Sequence, residues 1–283
     1  MGRREPALDL LGEDDEVTAR LYPAVLLALA VLLVGCGSAR TDTSPESTRT
    51  GSPVPAAPPR GACYPLDVAA ALRASSTVAR VPCAGPHTSV TVAVGTLDTV
   101  VDGRPLAIDS ARAQRQIANR CRAKVDRHVG GSVETQRLSL VQAVWFSPTP
   151  TETDRGARWY RCDLVISSGT RAFLELPRRT RGLLRKPGAL DRYGVCGTAA
   201  PGTSGFSRVV CSDDHRWRAR ATISLPAGTR YLSKAAGSLA NDRCRDVAAR
   251  RAADVLHLRW SFEWPTRAQW KARQRYGLCW TPD

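Results

Sequence analysis

Val81-Pro82-Cys83-Ala84-Gly85-Pro86-His87 and Val209-Val210-Cys211-Ser212-Asp213-Asp214-His215 share one outline: an apolar approach, a cysteine, and a histidine four positions on. Working outward from these stretches, the agreement extends over most of the chain. Cysteines 63, 83, 121 and 162 are spaced by 20, 38 and 41 residues; cysteines 196, 211, 244 and 279 are spaced by 15, 33 and 35. Asn119-Arg120-Cys121-Arg122 answers Asp242-Arg243-Cys244-Arg245, and Pro148 and Pro265 each lie 14 residues before the last cysteine of their set. Trp159 and Tyr276 each stand three residues before it. Self-similarity on this scale is the signature of an internal duplication.

The elements repeat too. Val90, Val92 and Val94 alternate with smaller or polar residues, as in a half-buried strand, and Trp217, Ala219, Ala221, Ile223 and Leu225 do the same. The two apolar parities differ by one relative to the preceding cysteine, so a bulge or an alignment gap is required. A helix follows in each copy. Ser110 is an N-cap candidate, and Ile117, Cys121, Val125 and His128 fall on one face before Gly130-Gly131. The counterpart starts near Ser233 and places Ala240, Cys244, Val247, Ala248 and Val255 on one face. Strands are expected over 138–146 and 256–264, and a last strand carries Cys162 or Cys279. The fold class expected is α+β: two tandem pseudo-repeats, residues 61–173 and 191–283, each a small antiparallel sheet with one packed helix, stapled by disulfides. Residues 174–190, with Arg178, Arg179, Arg181, Arg185 and Lys186, read as a basic connector.

The compartment follows from the other end of the chain. A 14-residue apolar run, 21–34, leads into Leu33-Val34-Gly35-Cys36. It is shorter than the roughly 20 residues of a membrane-spanning helix and fits a secretory h-region. The closing tetrad matches a lipobox, so residues 1–36 read as a signal sequence whose Cys36 is lipidated; the competing reading is an uncleaved anchor helix. Residues 1–20 carry three Arg and six acids, which does not suit a basic n-region. A start at Val17 would leave residues 1–16 untranslated and restore one. Residues 37–60, rich in Ser, Thr, Pro, Gly and Ala, read as a disordered tether reaching on the order of 80 Å when extended. Everything beyond Cys36 is then expected on the extracytoplasmic face of the cell membrane, where cysteines oxidise.

An even set of eight cysteines in that setting implies a disulfide framework. Four per copy allow three connectivities, and spacing alone does not choose. First-to-second and third-to-fourth pairing is the expectation, because each helix turns its cysteine toward the sheet that carries the last one. Each bridge should stabilise by roughly 3–4 kcal/mol in the chain-entropy view. The competing reading takes Cys-x3-His at 83/87 and 211/215 as seeds of zinc sites. Against it stand the export signal and the absence of a tight Cys-x2-Cys knuckle, so no metal is expected. The plainer role for His87 and His215 is hydrogen bonding at a strand start.

With these residues in view, the chain resembles the actinobacterial septum-formation-related domain family. The resemblance rests on Val81-Pro82-Cys83-x-x-Pro86-His87 before a strand, on Cys121, on the segment around Trp145 and on the run 156–162. It covers roughly residues 61–280. Members often carry an acid shortly after the histidine, whereas Thr88-Ser89-Val90 and Arg216-Trp217-Arg218 stand here. The resemblance implies a membrane-tethered protein tied to division-septum formation and no known enzymatic activity.

The formal charge is +15, and loss of residues 1–35 raises it to +18. Of 41 basic residues 37 are Arg, a skew typical of GC-rich coding. The excess over acids draws the protein toward anionic headgroups, peptidoglycan and anionic wall polymers; division proteins are the other expected partners, while export argues against nucleic acid. No Gly-x-Ser-x-Gly elbow, Ser-x-x-Lys, His-Glu-x-x-His or phosphate loop is present. A non-catalytic, lipid-anchored envelope protein without a cofactor is the leading expectation. An envelope hydrolase or transferase working through His87 or His215, and a sensor with a labile disulfide, are the alternatives. Five of seven Trp lie in the second copy among Arg residues, most of them expected in the core. Trp270, with Arg267 and Arg273, is the candidate for an exposed contact, since aromatic faces beside Arg bind sugars and anionic polymers.

Overall fold

The computed structural model describes residues 53–101, 103–169 and 172–283. The signal, Cys36 and the tether as far as residue 52 lie outside these residues. Residues 53–60 have no regular structure but run along the fold, with Val54 beside Gly156.

The first half forms an antiparallel sheet of β1 (Cys63–Tyr64), β2 (Ser89–Thr96), β3 (Val141–Phe146) and β4 (Trp159–Ser168) in the order β1-β2-β4-β3, with residues 172–173 added to β4. The second half forms another from β5 (Val195–Gly197), β6 (Arg208–Val210), β7 (Trp217–Ser224), β8 (Ser261–Glu263) and β9 (Tyr276–Pro282), ordered β8-β9-β7-β5-β6. Matched by position, the two orders are the same. Cys63 bridges Val81 in one half, and Cys196 pairs with Val209 in the other; each valine lies two residues before a cysteine.

Both sheets carry a bulge, and because it is shared it is not the source of the parity mismatch: Val90 stands at the position of Arg218 and Thr91 at that of Ala219, so the two strands carry their apolar residues on opposite faces. Thr91 pairs with Asp163 and Ala93 with Cys162, leaving Val92 extra; Ala219 pairs with Trp280 and Ala221 with Cys279, leaving Arg220 extra. The two bulges fall at the same distance from Cys83 and Cys211, so no gap is needed between the copies.

Helix α1 (Ala111–Val129) follows β2 and helix α2 (Lys234–Ala249) follows its counterpart β7. Ser110 and Ser233 cap them by accepting from Ala113 N–H and Ala236 N–H, which satisfies a donor the first turn leaves free. Ile117, Cys121 and Val125 are buried as expected, and Val129 takes the last inward position while His128 is half-buried. In the second half the helix stops at Ala249, short of Val255. Asp254 accepts from Leu256 N–H and starts a separate 3₁₀ turn, so Val255 and Leu256 are exposed and the strand expected from 256 begins only at Ser261.

The bridges are Cys63–Cys83, Cys121–Cys162, Cys196–Cys211 and Cys244–Cys279. Two of them tie a helix to the middle of its sheet. The stretch read as a basic connector does more than join the halves. Leu176, Leu183, Leu184 and Ala189 are buried in an apolar cluster that runs from Ile117 and Leu164 of the first half to Val195, Val210, Trp217 and Trp280 of the second.

Candidate functional site

The two expected histidines occupy equivalent turns. The Nδ1–H of His87 donates to the Gly85 carbonyl at 2.8 Å, and that of His215 donates to the Asp213 carbonyl at 2.7 Å. Each ring thereby ties down the turn between its disulfide and the strand that follows. His87 is buried; His215 also places Nε2 at 2.5 Å from the Asp283 carboxylate. Burial opposes ionisation of Asp283, but the His215 bond and the charges of Arg220 and Arg218 outweigh it and hold its carboxyl below the usual range. Donor atoms of Cys196, Cys211 and His215 lie within 4.8 Å of one another, a spacing compatible with a cation. The two sulfurs are bonded to each other, however, and a disulfide sulfur is not the thiolate that ligates zinc.

Beneath the first sheet, on the side away from α1, lies a buried polar group that the cysteine pattern did not announce. Asp163 accepts from Thr91 Oγ1 at 2.7 Å and Ser89 Oγ at 3.2 Å, and Arg161 Nε is 3.2 Å from its carboxylate. The Arg161 guanidinium lies over Tyr64 and Phe146, 3.9 and 4.6 Å from their ring centres. Burial pushes the Asp163 carboxyl up, against the pull of Arg161 and the two hydroxyls. At the equivalent positions of the second half stand Trp217, Ala219, Leu278 and Trp280, all buried and apolar. The group is closed to solvent and reads as structure.

The second half carries the surface feature. Thr266 caps a short helix, Arg267–Lys271, in a reciprocal box with Gln269. That helix sets Trp270 against Tyr231 and Trp264, with ring centres 5.6 and 6.2 Å apart, and Trp264 against Phe262 at 5.9 Å. Arg275 stacks on Trp270 at 4.0 Å and Arg267 on Tyr231 at 5.1 Å. Trp270 is therefore half-buried, packed on the α2 core rather than standing free as the polar run around it suggests. Arg267 and Arg273 are exposed. The structure thus joins Trp270 and Arg267 into one aromatic–cation cluster, with Arg273 at its edge donating its N–H to the Trp270 carbonyl at 3.0 Å. His87 and His215 belong to other parts of the fold.

Tyr231 is the member that sequence reading missed, since a tyrosine two residues before an N-cap serine carries no signal of its own. Arg275 had a visible signal: Arg158 and Arg275 each stand four residues before the last cysteine. Arg158 Nη1 donates to the carbonyls of Thr153 and Ala157, and Arg275 Nη1 to those of Trp270 and Gln274, the same two offsets.

Comparison with known proteins adds one finding. A family model described as septum formation matches residues 60–279. No curated protein and no solved structure matches the chain. Among the described residues no helix is long and apolar enough to cross a membrane.

Proposed function

We propose, for a chain that belongs to the septum-formation family, a non-catalytic role as a binding module of the cell envelope, lipid-anchored through Cys36 on the extracytoplasmic face. The family is tied to septum formation and is not a known enzyme family. The observation that carries the binding role is the cluster of Tyr231, Trp264 and Trp270 with Arg267, Arg273 and Arg275. Half-exposed rings offer apolar area at low entropic cost, and the cations beside them suit anionic or sugar-bearing wall material. Four disulfides and a net basic charge fit a protein working outside the cytoplasm against anionic polymers.

The test replaces Trp270, Arg267 and Arg273 with Ala, Gln and Gln and measures co-sedimentation with purified cell wall. A melting curve on the same protein reports whether the fold survives. We expect wall binding to fall about tenfold, with melting lowered by the packing that Trp270 gives the α2 core but still cooperative. Retention of wall binding by a folded triple variant would remove this surface from the account. Globomycin treatment, which blocks lipoprotein signal cleavage, should leave the protein with its signal attached; an unchanged mass would remove the lipid.

A further inference from the structure

A crevice of about 250 Å³ in the first half is lined by Arg60, Val92, Ala93, Val94, Lys124, Arg127, His128 and Arg181. Its cations come from three separate parts of the chain. Arg60 leads into β1, Lys124 and Arg127 stand on the last turns of α1, and Arg181 precedes the 3₁₀ turn at 183–185. The bulged middle of β2, residues 92–94, supplies an apolar wall. All four cationic side chains are exposed, and none has a carboxylate at ion-pair distance among the described residues.

Arginines are ordinary on the surface of a chain with 37 of them, but these share one crevice whose lining holds no acid. Several cations elsewhere find acids or rings: Arg208 pairs with Glu263, Arg218 with Asp191, Arg220 with Asp283, and Arg137 lies over Tyr276. Here four exposed cations line one crevice with no acid among the lining residues, and their summed field draws an anion into the space between them. Nor are Lys124 and Arg127 needed to cap α1. Two of its last four carbonyls are already met from elsewhere, His128 O by Gly182 N–H and Asp126 O by Gly130 N–H and Gln136 Nε2, and Gln136 Nε2 also reaches Gly130 O.

His128 completes the wall. Its Nε2 is 2.8 Å from Thr180 Oγ1, and its Nδ1 is buried without a partner. Burial first, then the charges of Arg181 and Arg60, hold its pKa below the ordinary value, so the ring is neutral at pH 7 and an anion drawn into the crevice would raise that pKa.

We propose that this crevice is a binding site for a phosphate group, with Arg127, Arg181 and Arg60 as forked donors and Lys124 as a point charge. Three guanidinium groups and an ammonium suit a tetrahedral oxyanion of more than one negative charge better than a single carboxylate. The apolar wall of Val92–Val94 leaves room for the organic part of an ester. The group could be free phosphate or the phosphodiester of a lipid headgroup, and the chemistry recognised is the same. The site lies in the other half of the chain from Trp270, so it stands or falls independently of the wall-binding surface.

The experiment is calorimetric titration of the full chain in a non-ionic detergent at low salt with three probes: inorganic phosphate, glycerophosphoglycerol and acetate. We expect phosphate or its ester to bind and to shift the His128 ring resonances, with a raised His128 pKa in NMR titration. Preference for glycerophosphoglycerol supports a headgroup as the source, and preference for inorganic phosphate supports the free ion. Arg127→Gln with Arg181→Gln should weaken binding at least about tenfold. Both residues are exposed, so the fold should hold, and the melting curve checks it. Acetate binding as tightly as phosphate, no binding by the native chain, or equal phosphate affinity in the folded double variant would each overturn the proposal.

Discussion

Arg273 has φ 69°, in the left-handed region that costs a side-chain-bearing residue about 1–2 kcal/mol. Six residues before the last cysteine in both copies, its counterpart is Gly156 at φ 93°. The backbone turn is thus the same in both halves, and the second half makes it with the less suited residue. Arg273→Gly should therefore leave stability unchanged or raise it by up to about 1 kcal/mol, whereas Gly156→Ala should lower it by about 1 kcal/mol. Urea unfolding of the two variants measures both; a loss for Arg273→Gly would show that the Arg side chain stabilises the turn through contacts. The buried pair below the first sheet gives a second prediction. Asp163→Ala strands the Arg161 guanidinium in the interior and should cost about 3–5 kcal/mol. Adding Arg161→Leu, the residue that the second half has at that position, should recover a substantial part of the loss, because two apolar residues there need no partners. A double variant as unstable as the sum of the singles would mean that the pair is not coupled. Neither feature could be read from spacing. An Arg that replaces Gly, or an Arg-x-Asp inside an apolar strand, shows its meaning only once the register is known.

At the scale of elements, serine caps and periodicity carried the reading well where the chain obeys them. Ser110 and Ser233 begin their helices because each offers an acceptor to the third residue beyond, and the inward cysteines follow from the helical period. The reading failed where a local competitor intervened. Asp254 draws Leu256 N–H into a turn of its own, and the apolar pair Val255–Leu256 turns outward. The shared bulge was not legible: parity suggested a bulge or a gap between the copies, whereas pairing puts the same bulge in both and the difference lies in which face of the strand is apolar. The second face of β2 was not legible at all. Ser89 and Thr91 look solvent-facing in a strand that alternates, yet they are buried under the segment around Leu66, Ala71 and Val78. The disulfides differ by element too. Cys121, Cys162, Cys244 and Cys279 are fully buried between helix and sheet, while Cys83 is half-exposed at a turn. Under graded reductant with mass-tagged alkylation, Cys63–Cys83 should open first and the two helix–sheet bridges last, because attack needs access to sulfur. Simultaneous opening of all four would show that reduction follows global unfolding.

On the scale of the molecule, the two similar cysteine patterns invite a picture of two independent beads on a string, and the packing argues for one body. The largest apolar cluster contains Ile117, Cys121 and Leu164 from the first half, Leu183 and Leu184 from the joining stretch, and Val195, Trp217 and Trp280 from the second. Backbone bonds cross as well: Leu140 N–H donates to the Tyr193 carbonyl at 2.8 Å, and Val195 N–H to the Leu138 carbonyl at 2.9 Å. Glu134 accepts from Thr222 N–H at 3.1 Å, and Arg137 lies over Tyr276 at 4.0 Å. Sequence could not show this, because Leu183 and Leu184 sit among basic residues and carry no period. Two halves that share a core cannot lose one without exposing apolar surface of the other, so unfolding should be cooperative across both. Scanning calorimetry with disulfides intact should give one transition whose calorimetric and van't Hoff enthalpies agree. Leu184→Ala should destabilise by about 2–5 kcal/mol and shift that transition as a whole. Amides of β2 and β7 should then lose exchange protection together. Two resolved transitions, or loss of protection in β7 alone, would mean that the halves fold as separate units and that the shared cluster is only a contact between them.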